Sequence, residues 1–142
     1  MWAIGVATEI AFFLASNRFG GANRAYGLLI AGALFAILRW LLMAATTNTA
    51  LVFVGQALHA FSFAATHLGS IFALTRLVGE TRRAQAQGWI SGANALTMAF
   101  VSVMSGHLWK AFGLSAYLFM AGVAALGLAL AVAAALDPRR DD

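Results

Sequence analysis

The chain has 142 residues, of which 62% are hydrophobic and 10% are charged, and its formal net charge is +4 at pH 7. A soluble domain is about half apolar and about a quarter charged, so a soluble fold of this length could not bury so much apolar surface. The composition therefore excludes a soluble enzyme, a nucleic-acid binder and a disordered chain. The chain has no Cys, which excludes disulfides, thiolate catalysis and Cys-ligated metal.

Apolar runs separated by short polar segments predict an all-α, polytopic membrane helix bundle, since a spanning helix needs ~20 mostly apolar residues. We expect one membrane domain over 1–142 with five spans. In chain order these spans are about 1–17, 25–45, 50–77, 86–108 and 114–136. Polar or glycine-rich breaks separate them. Every loop is short, so consecutive helices should be antiparallel neighbours.

The basic residues orient this bundle. With five spans, seven of them share one side: Arg18, Arg24, Arg76, Arg82, Arg83, Arg139 and Arg140. The opposite side holds Lys110. The positive-inside rule then places the C-terminus in the cytoplasm, with the chain in the inner (plasma) membrane. A first helix that begins outside, is short and contains Glu9 is a poor start for insertion, so we expect the native polypeptide to continue upstream of Met1.

Ionisable residues inside spans are costly and are functional candidates by default. They are Glu9, Arg39, His59 and His67, with Gln56 as an uncharged companion. On the third span, at 100° per residue, one arc of ~100° holds the following side chains: Gln56, His59, Phe63, Thr66, His67 and Ser70. This polar stripe on an otherwise apolar helix predicts a water-filled pathway. The alternative is a helix–helix contact that satisfies both histidines.

Heights along the helices, at ~1.5 Å per residue, predict two tiers. Glu9 lies ~12 Å and His67 ~15 Å from the cytoplasmic ends of their helices, whereas Arg39 lies ~22 Å and His59 ~25 Å from them. We expect Glu9 and one histidine to form a proton-coupling or substrate-binding pair. The alternatives are an ion pair that only fixes packing for Glu9, and a side chain that snorkels to the outer interface for Arg39.

The fourth span carries a stripe of small residues, which predicts close helix packing. Its members are Gly88, Gly92, Ala95, Ala99, Ser102 and Gly106. Asn94 lies off that stripe. The chain contains no HExxH, GxSxG or P-loop motif, and the eight-residue spacing of His59 and His67 is not that of a helical metal pair. We therefore expect no catalytic site, no metal and no cofactor.

Three segments resemble the second half of the major facilitator superfamily. They are Ser16-Asn17-Arg18-Phe19, then Arg39-Trp40 with Met43 and Ala45-Thr46-Thr47, and finally the run from Gln56 through His59 and Thr66-His67 to Leu68. The resemblance is to the 3-phenylpropionate permease-like branch, related to proton symporters of the lactose-permease type. It implies a partial C-terminal half comprising helices eight to twelve of twelve, with the third span lining the cavity and the fourth at the interface between halves.

The same resemblance places a cytoplasmic gate motif in the loop after helix eight, where Asn17, Arg18 and Arg24 form a shortened version of it. We expect part of a proton-coupled secondary transporter, not an enzyme, for a small organic solute such as the aromatic acid phenylpropionate. The implied partners are the lipid bilayer, the solute, protons, and a missing N-terminal half or a partner chain, with no nucleic acid. The alternative is a non-transporting membrane bundle or a subunit that assembles with a partner chain.

Overall fold

The computed structural model describes residues 24–137 and, upstream of them, only Val6, Ala7, Ile10 and Leu14. Most of the first predicted span, 1–17, lies outside the described residues. The same is true of Glu9, Asn17, Arg18, Arg139 and Arg140. The predictions made for these residues therefore remain predictions.

Residues 24–137 form four α-helices and no strand, which confirms the all-α class. Helix α1 spans Ala25–Ala45, α2 spans Thr49–Leu77, α3 spans Arg83–Phe112 and α4 spans Ala116–Leu136. Short 3-10 turns at Glu80–Arg82 and Gly113–Ser115 join the last three helices. The four helices overlap the four predicted spans that fall in this part of the chain.

Three helical stretches of the described residues are long and apolar enough to cross a membrane. Ala25–Ala45 has 21 residues, Thr49–Leu77 has 29, and the stretch Glu80–Leu136, which contains both α3 and α4, has 57. Since ~20 residues suffice for one crossing, the chain is a multi-pass membrane protein. The count of five spans remains a prediction.

The ends of α2 are defined by side chains that satisfy free backbone groups. At the start, the Asn48 side chain accepts a hydrogen bond from the Ala50 N–H at 2.9 Å, which is a helix N-cap. Beyond the end, the Arg83 guanidinium donates to the carbonyl oxygens of Thr75 at 3.2 Å and Val78 at 3.3 Å. Arg83 thereby ties the last turn of α2 to the first residue of α3.

Helix α1 is the centre of the bundle because it packs against both α2 and α4. Its crossing with α2 is close: a Cβ added to Gly32 would clash with Thr66, and one added to Gly69 would lie 2.9 Å from the Ala25 carbonyl oxygen. Among the described residues, the buried apolar side chains are all alanines, namely Ala25, Ala60, Ala64, Ala65, Ala116 and Ala121. Small residues that allow close backbone approach are the usual packing device of membrane helices.

Helix α3 makes few contacts with the other described helices, and none of its residues is buried. Added Cβ atoms at Gly88, Gly92 and Gly106 would meet no described atom within 4 Å. The small-residue stripe predicted to pack closely is therefore uncovered by residues 24–137. Its role in packing remains a prediction.

Candidate functional site

A cleft runs between α2 and α3 and contains two adjoining cavities. We name them the Arg39 cavity, with a volume of about 600 Å³, and the His67 cavity, with a volume of about 530 Å³. His59 and Met98 line both cavities. The two cavities therefore meet at the level of His59, and the cleft extends along much of both helices.

The Arg39 cavity brings together side chains from all four helices. Arg39 and Trp40 come from α1, His59 from α2, Trp109 from α3 and Tyr117 from α4. The Arg39 guanidinium carbon lies 3.8 Å from the centroid of the Trp40 ring, which is a cation–π contact. The Arg39 Nε atom is buried and has no hydrogen-bond partner within the described part of the chain.

Aromatic rings continue from Trp40 around this cavity. The ring centroids of Trp40 and Tyr117 are 5.6 Å apart and their planes differ by 20°, which is a stacked arrangement. Tyr117 also meets Trp109 edge-on, with centroids 5.7 Å apart. Such aromatic contacts contribute about 0.5–1.5 kcal/mol each beyond burial of area. They make one wall of the cavity aromatic, with the guanidinium of Arg39 at its edge.

The His67 cavity is lined by polar side chains on both sides. From α2 come His59, Thr66, His67 and Ser70, and from α3 come Gln87, Ser91, Asn94 and Thr97. Phe63 stands between the two histidines: its ring centroid is 6.1 Å from that of His59 and 5.9 Å from that of His67, with the latter pair nearly parallel. Polar groups thus line a cleft between two mostly apolar helices.

The hydroxyl groups on α2 are bonded to their own helix. Thr66 Oγ1 donates to the Ser62 carbonyl oxygen at 2.7 Å, and Ser70 Oγ donates to the Thr66 carbonyl oxygen at 2.8 Å. Such back-bonding satisfies the hydroxyl proton and leaves oxygen lone pairs as acceptors. Thr66 also abuts Gly32, so this residue lies both at the α1–α2 crossing and on the cleft.

The structure brings some of the predicted site residues together and separates others. Arg39 and His59 share the Arg39 cavity, and His59, Thr66 and His67 share the His67 cavity. Gln56 lines neither of these cavities. Arg24 is exposed immediately before α1. Of the small-residue stripe, Ser102 and Gly106 line the Arg39 cavity, whereas Gly88, Gly92, Ala95 and Ala99 line neither cavity.

Two features of the cleft were not predicted from the sequence, namely the polar face of α3 and the aromatic wall. Gln87, Ser91 and Asn94 recur at spacings of four and three, which is the signal of a common helix face. The small-residue stripe is the more prominent pattern on the same helix and hides this polar face. The contact of Tyr117 with Trp40 joins two helices far apart in sequence, and periodicity within one helix gives no sign of it.

Chemically, the cleft offers one guanidinium, two imidazoles, amides and hydroxyls between largely apolar walls. Such a site suits a small organic solute, because a few placed polar groups in an apolar cavity orient a ligand. Among the described residues no three His, Asp or Glu side chains form a group that could hold a metal ion.

A multi-pass helical bundle with a polar cleft between spanning helices occurs in membrane transporters, and the comparisons with known proteins agree with that class. The chain belongs to the MFS_1 like family, whose model matches residues 1–121. It is 30% identical over 125 residues to a probable 3-phenylpropionic acid transporter of Escherichia coli (strain K12), a match that covers 87% of this chain and 33% of the relative. The chain thus spans about a third of that relative's length. No solved structure matches it.

The expected resemblance to the major facilitator superfamily and its 3-phenylpropionate permease-like branch is confirmed by these matches. The family and the relative's name point to a transporter rather than an enzyme.

Proposed function

We propose that this chain forms part of a proton-coupled secondary transporter for a small organic solute, with an aromatic acid such as 3-phenylpropionate as the first candidate. The relative is named as a probable transporter of that acid. The observation that carries the proposal is the cleft between α2 and α3, in which a guanidinium, two imidazoles and aromatic rings line adjoining cavities.

His59 supports proton coupling because it lines both cavities. Histidine changes its charge near neutral pH and can carry a proton or donate hydrogen bonds. A proton held at this position would act on both cavities, so protonation and solute occupancy can influence each other. Glu9 is proposed as a second proton-carrying group on the basis of the sequence alone.

The proposed location is the inner membrane, with the C-terminus in the cytoplasm. Arg76, Arg82 and Arg83 cluster where α2 ends and α3 begins, whereas Lys110 lies in the last turn of α3. By the positive-inside rule the cluster of three favours the cytoplasmic side. Alternating access in such transporters involves two halves that rock about a central site. We therefore propose that the chain works together with an N-terminal half or a partner chain.

A non-transporting membrane bundle, or a subunit that assembles with a partner chain, is the second candidate. It is favoured by the uncovered small-residue stripe of α3, where Gly88, Gly92 and Gly106 have open space around them among the described residues. Such a stripe suits a helix of another subunit. A bundle of this kind would show no solute uptake, so the two candidates differ in a measurable property.

The test is uptake of radiolabelled 3-phenylpropionate by cells that express the natural gene product carrying this chain, with and without a pH gradient. We expect uptake that is driven by the gradient, abolished by a protonophore, and lost in the Glu9→Gln variant. Uptake indifferent to the gradient would contradict proton coupling. Full gradient-driven uptake by Glu9→Gln at normal affinity would remove Glu9 from the mechanism, and no uptake of any organic solute would favour the second candidate.

A further inference from the structure

The position of Arg39 is unusual for a cation in a membrane helix. Its guanidinium lies over the Trp40 ring, with the carbon 3.8 Å from the ring centroid. Its Nε atom is buried and has no hydrogen-bond partner in the described part of the chain. Among the described residues that line the Arg39 cavity there is no Asp or Glu. Arg39 as a whole is half-buried, and a cation in such surroundings favours an anion that enters the cavity.

The contact with Trp40 restricts the position of the guanidinium, whose carbon lies 3.8 Å from the ring centroid. A guanidinium held against an aromatic ring has N–H groups that can point away from the ring, and its planar fork matches the two oxygens of a carboxylate. An ammonium group or a hydroxyl donor has no such bidentate geometry. The remaining lining is largely apolar or aromatic, and the volume of about 600 Å³ falls within the range of small-molecule sites.

Tyr117 holds the Trp40 ring from a different helix. Its ring stacks on Trp40 with centroids 5.6 Å apart, and Trp109 meets Tyr117 at 5.7 Å. Tyr117 therefore links the indole that carries Arg39 to α4, and through Trp109 to α3. Removal of the Tyr117 ring would free Trp40 to change its rotamer, and the guanidinium that rests on it would lose its restricted position.

We propose that the Arg39 cavity is a carboxylate subsite, in which Arg39 binds the carboxylate and Tyr117 is a positioning residue that acts through Trp40. The ligand class is a small monocarboxylic acid with an aromatic or otherwise apolar body, which packs against the aromatic wall. This assignment rests on the proposed function, because it specifies how the transporter would recognise its solute.

The test compares two probes that differ only at the carboxylate, 3-phenylpropionate and 3-phenylpropanamide. The affinity of each probe for the natural gene product carrying this chain, purified in detergent micelles, is measured by calorimetric titration. We expect the acid to bind about tenfold tighter than the amide or more, as a charge-assisted hydrogen bond provides about 1.4 kcal/mol or more. The ratio of the two affinities is the readout, because a general loss of folded protein affects both probes equally.

Variants of Tyr117 test whether this residue positions Arg39 through Trp40 or only fills space in the bundle. In Tyr117→Leu the preference for the acid should fall to about threefold or less, because the affinity for the acid falls more than the affinity for the amide. Tyr117→Phe keeps the ring and should keep the preference. Phe119→Leu is the matched control: it removes a ring of the same helix that contacts Phe112 at 5.3 Å and does not line the cavity. The preference of Phe119→Leu for the acid over the amide should equal that of the unmodified chain.

Equal binding of acid and amide by the unmodified chain, or no binding of either, overturns the carboxylate subsite. An unchanged preference in Tyr117→Leu overturns the positioning role. If that variant does not fold, Arg39→Lys decides: it keeps the charge but loses the planar fork, so its preference for the acid should fall, and an unchanged preference overturns the subsite. Uptake driven by a pH gradient is measured separately. If a neutral solute is taken up in this way, the transporter proposal stands and the carboxylate subsite fails.

Discussion

His59, together with Met98, lines both the Arg39 cavity and the His67 cavity. It is half-buried, and its ring lies 6.1 Å from that of Phe63, whereas His67 is exposed to the cleft. A proton on His59 would therefore alter the electrostatics of both cavities at once. Among the histidines of the described chain it has the position best suited to link protonation with solute binding.

We expect His59→Gln to lose most of the gradient-driven uptake, by about tenfold or more, because glutamine keeps hydrogen-bonding groups but carries no proton charge. Exchange of solute across a membrane without a gradient should persist, since the cleft keeps its shape. The measurement is initial uptake rate with and without a pH gradient. His107→Gln is the matched control, because His107 is exposed and lines neither cavity; an equal loss in both variants would contradict the role of His59.

At this scale the polar stripe of α2 could be predicted, because the positions of His59, Thr66 and His67 follow directly from helical periodicity. The placement of Gln56 could not be predicted in this way, because Gln56 lies on the same arc of the helix yet lines neither cavity. Which part of a stripe faces a cavity depends on where the neighbouring helices cross. That information is not contained in the periodicity of one helix.

At the scale of the helices, the crossing of α1 and α2 determines where the cleft lies. Gly32 meets Ser62 and Thr66, and Gly69 meets Ala25 and Leu29, with backbones in close approach at both points. Since Thr66 lies at this crossing and also on the His67 cavity, the spacing of α1 and α2 determines where the polar face of α2 lies.

We expect Gly32→Ala to destabilise the bundle by about 1–3 kcal/mol, because an added methyl group would clash with Thr66 and force the helices apart. Gly27→Ala is the matched control on the same helix, since a Cβ at Gly27 meets no described atom within 4 Å. It should be neutral or slightly stabilising, as alanine favours a helix more than glycine does. Unfolding midpoints in mixed micelles measure both, and similar midpoints for the two variants would contradict the close crossing.

The helices themselves were largely predictable, because long apolar runs and polar breaks locate them. Helix α1 has the bounds expected from the sequence, whereas α3 begins at Arg83 and ends at Phe112, several residues beyond the predicted 86–108 at each end. The extension has a physical cause: Arg83 hydrogen bonds to the end of α2, and the turn occurs only at Gly113, whose φ of +55° favours glycine. The close crossing at Gly32 was missed, since a single glycine in an apolar run carries no distinctive pattern.

The proposed orientation of the whole molecule rests on its basic residues, and it can be tested directly because the chain has no Cys. In intact cells we expect the Gly79→Cys variant to resist a membrane-impermeant maleimide and the Ser115→Cys variant to react with it, since the segment with Arg76, Arg82 and Arg83 should be cytoplasmic. Permeabilised cells provide the control, because both variants should then react. The reverse pattern in intact cells would contradict the proposed topology.

At this largest scale the sequence predicts the family and the class of fold, and both are confirmed. The arrangement of α3 could not be predicted, because its small-residue stripe indicates contact with a helix, yet its glycines face open space among the described residues. The periodicity of α3 indicates a face for packing but does not identify which helix covers it. The spacing of the polar face with Asn94 is visible in the sequence, but that this face lines a cleft follows only from the placement of α2 beside α3.

The measurement that bears most directly on the cleft as a solute pathway is alkylation of a single introduced cysteine. Asn94 lines the His67 cavity, whereas the adjacent Ala95 belongs to the small-residue stripe and lines neither cavity. For the Asn94→Cys variant we expect 3-phenylpropionate to slow alkylation by N-ethylmaleimide severalfold, with no effect on the Ala95→Cys variant. Equal rates with and without the acid in both variants, or equal slowing of both, would contradict the cleft between α2 and α3 as the route of the solute.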